Sequence, residues 1–221
     1  MTDISPLDIK VSEKDITDLK IRLKRARWPE PEPLEDWGQG VPLEYAKDLV
    51  DYWATNYDWR ECENYLNSLP QFTTNIRDLD IHFTHVRSEH DNALPLLITH
   101  GWPDSTVNFE KIIGPLVEPE NFGGSADDAF HLVIPSLPGF AFSGKPNKTG
   151  WHVGVIAEAW TELMSRLGYS RYVAQGGDWG AIIATEIGYS QAEHCAGIHI
   201  TMPITLNPSQ HLMENLTEYE K

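Results

Sequence analysis

The spacing of apolar and polar positions along the chain changes near residue 72. Before that point, apolar residues recur every three or four positions, which is the spacing of an amphipathic helix. After it, residues 72–76 and 79–86 alternate between apolar and polar about Arg77-Asp78, which predicts a β-hairpin. The pattern therefore predicts two domains, a helical N-terminal arm over residues 1–70 and a strand-containing domain over residues 71–221.

Three helices are predicted in the arm. Ser12 and the acidic residues after it are typical of a helix start, and Trp28-Pro29 ends that helix. Further helices are predicted from Pro42 and over residues 58–69. The arm is rich in aromatic residues, namely Trp28, Trp37, Tyr45, Tyr52, Trp53, Tyr57 and Trp59. Their helical spacing, without a charged cluster beside them, favours a core or docking surface over a binding cage.

The second region alternates strands with helices. The apolar run at residues 94–99 is typical of a strand covered on both faces, and further strands are predicted at residues 132–134, 172–174 and 196–201. Helical patterns lie between them, so the sequence predicts a largely parallel, doubly wound α/β sheet. In such sheets, the loops at the carboxyl ends of the strands form the site.

One of these loops resembles a nucleophile elbow. The strand ending at Ala174 leads into Gly176-Gly177-Asp178-Trp179-Gly180 and then into a helical pattern. An elbow needs small residues two positions before and after its nucleophile, and the two outer glycines meet that requirement. A carboxylate at the tip can attack carbon and hold it as an ester. The alternative is a plain turn in which Asp178 caps the next helix.

The composition makes some classes of binding partner improbable. The chain has 17 basic and 33 acidic residues, so its net charge of −16 disfavours nucleic acid and anionic membranes as partners. No secretory signal or membrane-spanning run is recognisable, which predicts a protein without a membrane anchor. Two cysteines far apart in sequence, Cys62 and Cys195, do not suggest a disulfide framework. These features favour a cytoplasmic location.

The order of several short motifs resembles the epoxide hydrolases of the α/β-hydrolase superfamily, in the microsomal and juvenile-hormone branch with an N-terminal extension. The motifs are Trp28-Pro29, Pro70-Gln71-Phe72, His100-Gly101-Trp102-Pro103, Pro138-Gly139-Phe140 with Ser143, and the Asp178 elbow. The resemblance implies an α/β-hydrolase fold of about six strands, incomplete at its end, behind the helical arm.

The resemblance also implies a chemistry, in which Asp178 opens an epoxide to an ester that water hydrolyses to a vicinal diol. The backbone amides of Trp102 and Trp179 are the implied oxyanion donors. The implied site-shaping residues are His100, Gly101, Pro103, Phe140, Gly176, Gly177 and Gly180. The implied partners are a small apolar epoxide and water, with no metal and no cofactor, in epoxide metabolism and detoxification.

The sequence departs from the family pattern after Thr201. The family carries a helical cap with two tyrosines, then an acidic residue and a histidine base, and residues 206–221 resemble only the entrance to that cap. None of the nine histidines matches the family base. We therefore expect little turnover by this chain alone, because the ester lacks an activated water. We also expect an exposed sheet edge that favours a homodimer, a complementing chain or aggregation.

Two other functions remain open at this stage. A haloalkane dehalogenase would also use an aspartate nucleophile followed by a tryptophan, although the long aromatic arm favours the epoxide hydrolases. A non-catalytic scaffold or interaction protein would keep the elbow without the missing base.

Overall fold

The computed structural model describes residues 4–34, 36–204 and 217. The predicted cap entrance at residues 206–221 lies outside these residues, except for Thr217. The described residues form two compact units, one within residues 8–68 and one that joins residues 4–7 to the described chain from Leu69 onward. Within the described ranges, no helix combines the length and the apolar character that crossing a membrane requires.

The unit of residues 8–68 contains three helices, as the periodicity predicts. They are α1 (Glu13–Lys24), α2 (Leu43–Thr55) and α3 (Trp59–Ser68). Ser12 begins α1 as its N-cap, since its side chain accepts a hydrogen bond from the Asp15 amide. Glu63 on α3 ties down the chain before α1, because it accepts a hydrogen bond of 2.6 Å from the amide of Val11.

The other unit is built around one mixed sheet. Its strands are β1 (Ile4–Pro6), β2 (Gln71–Ile76), β3 (Leu79–Val86), β4 (Leu94–Thr99), β5 (Phe130–Pro135), β6 (Tyr172–Gly176) and β7 (Cys195–Ile200). Its helices are α4 (Glu110–Val117), α5 (Val153–Arg166) and α6 (Trp179–Ser190). The strand order is β1-β2-β3-β5-β4-β6-β7.

The sheet corrects two details of the sequence prediction. It has seven strands in the described part of the chain rather than about six, because Ile4–Pro6 pairs with β2 and so belongs with the sheet rather than with the helical arm. The sheet is also mixed. The neighbouring pairs β1–β2, β2–β3 and β3–β5 are antiparallel, whereas the pairs β5–β4, β4–β6 and β6–β7 are parallel.

The central strands are buried on both faces, as the apolar run at residues 94–99 predicts. Alternate residues of β4 point to opposite faces, so Leu97 joins the core beneath α5 and α6, whereas Leu96 and Ile98 join the core beneath α4. Trp160 of α5 is fully buried in the first core. Leu163 of the same helix is also fully buried in this core, and full burial of a leucine side chain stabilises the fold by about 1.5–3 kcal/mol. This packing holds the carboxyl ends of β4 and β6 side by side.

Candidate active site

The site begins at the bend between β6 and α6. Strand β6 ends at Gly176 and α6 starts at Trp179, so Asp178 occupies the tip and the N-cap position. Its backbone has φ 48° and ψ −126°, which is an uncommon conformation for a residue with a side chain. Such a conformation costs about 1–3 kcal/mol and persists only where the surroundings impose it.

The surroundings that impose the bend are two close backbone approaches. A Cβ atom on Gly176 would lie 2.1 Å from the carbonyl carbon and oxygen of Gly180, and a Cβ atom on Gly180 would lie 2.0 Å from the carbonyl oxygen of Thr99. Real Cβ atoms do not approach backbone atoms so closely, so both positions require glycine. Gly177 links this pair to the tip, and a Cβ atom there would lie 2.7 Å from Thr201 Oγ1.

The carboxylate of Asp178 is held by main-chain donors rather than used as a helix cap. The amide of Trp102 donates a hydrogen bond of 2.7 Å to Asp178 Oδ1. Hydrogen bonds from the amides of Trp102 and then Trp179 lower the pKa of the Asp178 carboxyl below its ordinary value. Asp178 makes no side-chain capping bond to α6. The plain-turn alternative is therefore wrong in its central feature, and the carboxylate is ionised at neutral pH.

Trp102 reaches the elbow through the loop that follows β4. A Cβ atom on Gly101 would lie 2.3 Å from Asp178 Oδ1, so only glycine lets the loop come this close. The Trp102-Pro103 peptide bond that follows is cis. The predicted site-shaping residues of this loop thus lie directly against the tip of the elbow.

His100 braces this loop as a neutral imidazole. Its Nδ1 donates to the Gly101 carbonyl at 2.9 Å, and its Nε2 accepts from the Leu137 amide at 3.0 Å. Because the backbone amide can only donate, Nε2 carries no proton, which assigns the tautomer. Burial lowers the pKa of His100 below its ordinary value. Both nitrogens are occupied, so His100 supports the loops and is not placed as a base.

The loop after β5 is anchored by a second buried histidine, whose role the sequence did not reveal. His82 Nδ1 lies 2.8 Å from Ser136 Oγ, and its Nε2 lies 2.9 Å from Gln71 Oε1. The Ser143 hydroxyl accepts from the His82 amide and donates to the Ser136 carbonyl. Burial lowers the pKa of His82 to about 4. The alternation in β3 places His82 on the polar face with Asp80 and Thr84, so no sequence signal indicated its burial.

An apolar pocket of about 400 Å³ opens beside the elbow. It is lined by Trp102, Leu137, Pro138, Phe140, Pro146, Trp151, His152, Val153, Ile156, Trp179 and Ile183. The ring of Phe140 also packs edge-on against His100, with ring centroids 5.6 Å apart. The two tryptophans whose amides bond Asp178 are thus part of the pocket wall. The sequence predicts a surface-like segment around His152, and the structure confirms that this residue is exposed while it also lines the pocket.

Three further histidines have bonded partners away from the elbow. His85 contacts the Tyr169 hydroxyl at 3.0 Å, and His131 accepts from the Ser88 amide at 3.1 Å. His90 contacts Glu120 at 2.8 Å. Among the described residues, no three or more His, Cys, Asp or Glu side chains form a group that could hold a metal ion.

Comparisons with known proteins match both parts of the chain. Residues 4–109 match the family described as epoxide hydrolase N terminus, and residues 95–219 match the alpha/beta hydrolase fold family. The chain is 53% identical over 201 residues to a Stigmatella aurantiaca protein named "Putative epoxide hydrolase", covering 91% of this chain and 46% of that protein. It is 37% identical to epoxide hydrolase 1 of Sus scrofa, with 92% and 46% covered.

Solved structures show the same likeness. The juvenile hormone epoxide hydrolase of the silkworm Bombyx mori superposes with a TM-score of 0.78 at 35% identity, covering 91% of this chain and 53% of that one. The Aspergillus niger epoxide hydrolase superposes with a TM-score of 0.80 at 31% identity, covering 94% and 54%. The chain spans about half the length of the curated relatives it matches.

Proposed function

Because this chain belongs to the α/β-hydrolase family and carries the epoxide hydrolase N-terminal region, we propose that it performs the epoxide-opening chemistry of an epoxide hydrolase, with Asp178 as the nucleophile. The observation that carries the proposal is the position of the Asp178 carboxylate, which is ionised, sits at the tip of a strained bend, and accepts a hydrogen bond from the Trp102 amide. The substrates are a small apolar epoxide and water, in keeping with the apolar pocket.

The first step joins the Asp178 carboxylate to carbon. The carboxylate oxygen that does not accept the Trp102 hydrogen bond attacks an epoxide carbon, and the ring C–O bond breaks. The electron pair of that bond stays on the ring oxygen, which takes a proton from water. The product is a hydroxyalkyl ester of Asp178, so the protein gains the full mass of the epoxide.

The second step cleaves the ester. Water adds to the ester carbonyl and gives up a proton, and the negative charge collects on the oxygen that faces the amides of Trp102 and Trp179. Preorganised donors of this kind lower such a barrier by about 3 kcal/mol each. Collapse restores the Asp178 carboxylate and releases a vicinal diol, so epoxide and water are consumed one to one. For the chain alone we expect this step to be slow, since both His100 nitrogens are already bonded.

The test is covalent labelling of the 221-residue chain with styrene oxide, followed by intact and peptide mass spectrometry. We expect one adduct, located on Asp178, and none in Asp178→Asn, because an amide is a poor nucleophile. Asp104→Asn is the matched control, since Asp104 is an exposed carboxylate in the neighbouring loop. Its adduct yield should equal that of the unmodified chain.

Three results would count against the proposal. Equal labelling of the Asp178→Asn chain would make the reaction nonspecific. Halide release from a chloroalkane without epoxide labelling would favour a dehalogenase. Binding of an epoxide-mimicking urea or amide, with no conversion of any epoxide, would favour a non-catalytic protein. Rapid diol release would keep the nucleophile but contradict the expected slow second step.

A further inference from the structure

The pocket beside the elbow is apolar except at one position. Apart from the indole N–H groups of its tryptophans, the side chains that line it are hydrocarbon or aromatic rings, with the single exception of His152. His152 is also the one titratable side chain in this wall. His152 is exposed, so its imidazole offers a ligand in this wall a side-chain hydrogen bond in the place of one to water, and a single such group among apolar side chains can orient the ligand.

The His152 backbone is fixed while its ring is left available. The His152 amide donates to the Gly150 carbonyl at 2.9 Å, and the His152 carbonyl accepts from the Ile156 amide at 3.0 Å. His152 is the N-cap residue of α5, but its side chain makes no capping hydrogen bond. The imidazole therefore lies at the start of a helix whose backbone is fixed, and it does not cap that helix, which is what polar side chains at this position commonly do.

The ring rests on the first turn of α5. Its Cε1 and Nδ1 atoms lie 3.2 and 3.4 Å from the position that a Cβ atom on Gly154 would occupy, so a glycine makes room for it. Glu186 Oε1 of α6 lies 3.8 Å from the same position, which puts a carboxylate on the same side of the helix start. This carboxylate and the net charge of −16 both disfavour an anionic ligand at His152.

We propose that His152 is a specificity-determining residue, which donates a hydrogen bond to a neutral acceptor on the substrate, such as a ketone carbonyl remote from the epoxide ring. The preferred substrate then has an apolar body in the pocket, its epoxide at Asp178 and its acceptor at the imidazole. This inference rests on the proposed function, because it names the substrate class of the same site.

The experiment compares two epoxides of matched shape, 4-acetylstyrene oxide and 4-isopropylstyrene oxide, of which only the first carries an acceptor. The rate of Asp178 labelling is measured over a range of concentrations for each, and the ratio of the two second-order rates is taken. We expect His152→Phe to lower this ratio about fivefold, which corresponds to the loss of one neutral hydrogen bond. Comparing ratios cancels the different intrinsic reactivities of the two epoxides.

Two further variants make the result interpretable. His152→Gln keeps a donor and should restore part of the ratio, whereas His199→Phe removes an exposed histidine outside the pocket and should leave the ratio unchanged. The loss should appear in the concentration for half-maximal labelling rather than in the maximal rate, since the hydrogen bond orients the bound epoxide. A structural defect would instead slow the labelling by both epoxides.

An unchanged ratio in His152→Phe, with both epoxides still labelling Asp178, overturns this inference and leaves the proposed function standing. Failure of both epoxides to label Asp178 in the unmodified chain overturns both.

Discussion

Among the bends of the described chain that hold non-glycine residues at positive φ, the β2–β3 turn and the elbow differ in what imposes that conformation. In the β2–β3 turn, Arg77 and Asp78 have φ values of 53° and 63°, and at the elbow Asp178 has 48°. The hairpin turn is exposed, and its two-residue length requires positive φ because only then do the strands keep their twist. The elbow is instead enclosed by backbone that leaves no room for side chains. The residues of the hairpin turn can therefore be replaced without affecting the site. The backbone conformation of Asp178 depends on the packing around it and is part of the site.

The largest expected effect on stability comes from adding a side chain behind the elbow. Gly180→Ala should lower the free energy of unfolding by more than about 3 kcal/mol or prevent folding, because the new Cβ atom would lie 2.0 Å from the Thr99 carbonyl oxygen. The better helix propensity of alanine, about 1 kcal/mol, cannot offset this clash. Urea denaturation followed by circular dichroism measures the change.

Gly197→Ala is the matched control, since nothing lies within 4 Å of a Cβ atom at that position in β7. This substitution should change the free energy of unfolding by no more than about 1 kcal/mol. If Gly180→Ala were as stable as this control, the close approach behind the elbow would not exist.

The next prediction concerns a buried residue of the same hairpin, His82, whose protonation makes the stability of the fold depend on pH. Burial lowers the pKa of His82 from 6.5 to about 4, so between these pH values the unfolded chain binds more protons than the folded chain. Stability should therefore be complete above pH 6.5 and fall as the pH drops to 4, with a contribution from His82 of about 3 kcal/mol.

The His82 contribution is measured by urea denaturation at several pH values for the unmodified chain and for His82→Gln. The variant should show a flatter decline between pH 6.5 and 4, and its stability at pH 8 gives the separate cost of altered packing. Parallel curves for the two chains would mean that His82 does not titrate as its burial requires.

The smallest effects come from placing glycine at each bend. Asp78→Gly should raise the free energy of unfolding by about 0.5 kcal/mol, because glycine adopts positive φ without strain. Asp178→Gly should raise it by about 1 kcal/mol for the same reason, yet abolish covalent labelling. Differential scanning calorimetry and mass spectrometry on the same samples measure both. Stabilisation only at the hairpin would mean that the carboxylate bonds outweigh the strain at the elbow.

Much of the fold follows from local patterns. The hairpin, the buried strands β4, β5 and β6, and the start of α1 at Ser12 are all confirmed, because alternation, apolar runs and capping residues act over a few neighbours. Strand β1 was missed, since three residues ending in Pro6 carry too little pattern to predict a strand. The antiparallel pairings of β1 with β2 and of β3 with β5 were also missed, because these strands are distant in sequence.

The candidate site likewise has features that the sequence predicts and features that it does not. The glycines around Asp178 are recognisable in sequence because the elbow is a local structure, although the catalytic roles assigned to the site, the homodimer and the cytoplasmic location stay predictions. His152 is exposed, as its surface-like segment predicts, but its place in the pocket wall was missed, since the loop before α5 carries no periodic signal that would show where its side chain points.

By itself, the sequence determined most of the strands and helices and where a bend without side-chain room must occur, because propensity and steric limits act within a few residues. Only the tertiary structure decided that β4 lies beside β6, so that the Trp102 amide meets a carboxylate 76 residues further along the chain. That meeting depends on strand order, which is set by the burial of both sheet faces together rather than by any one segment.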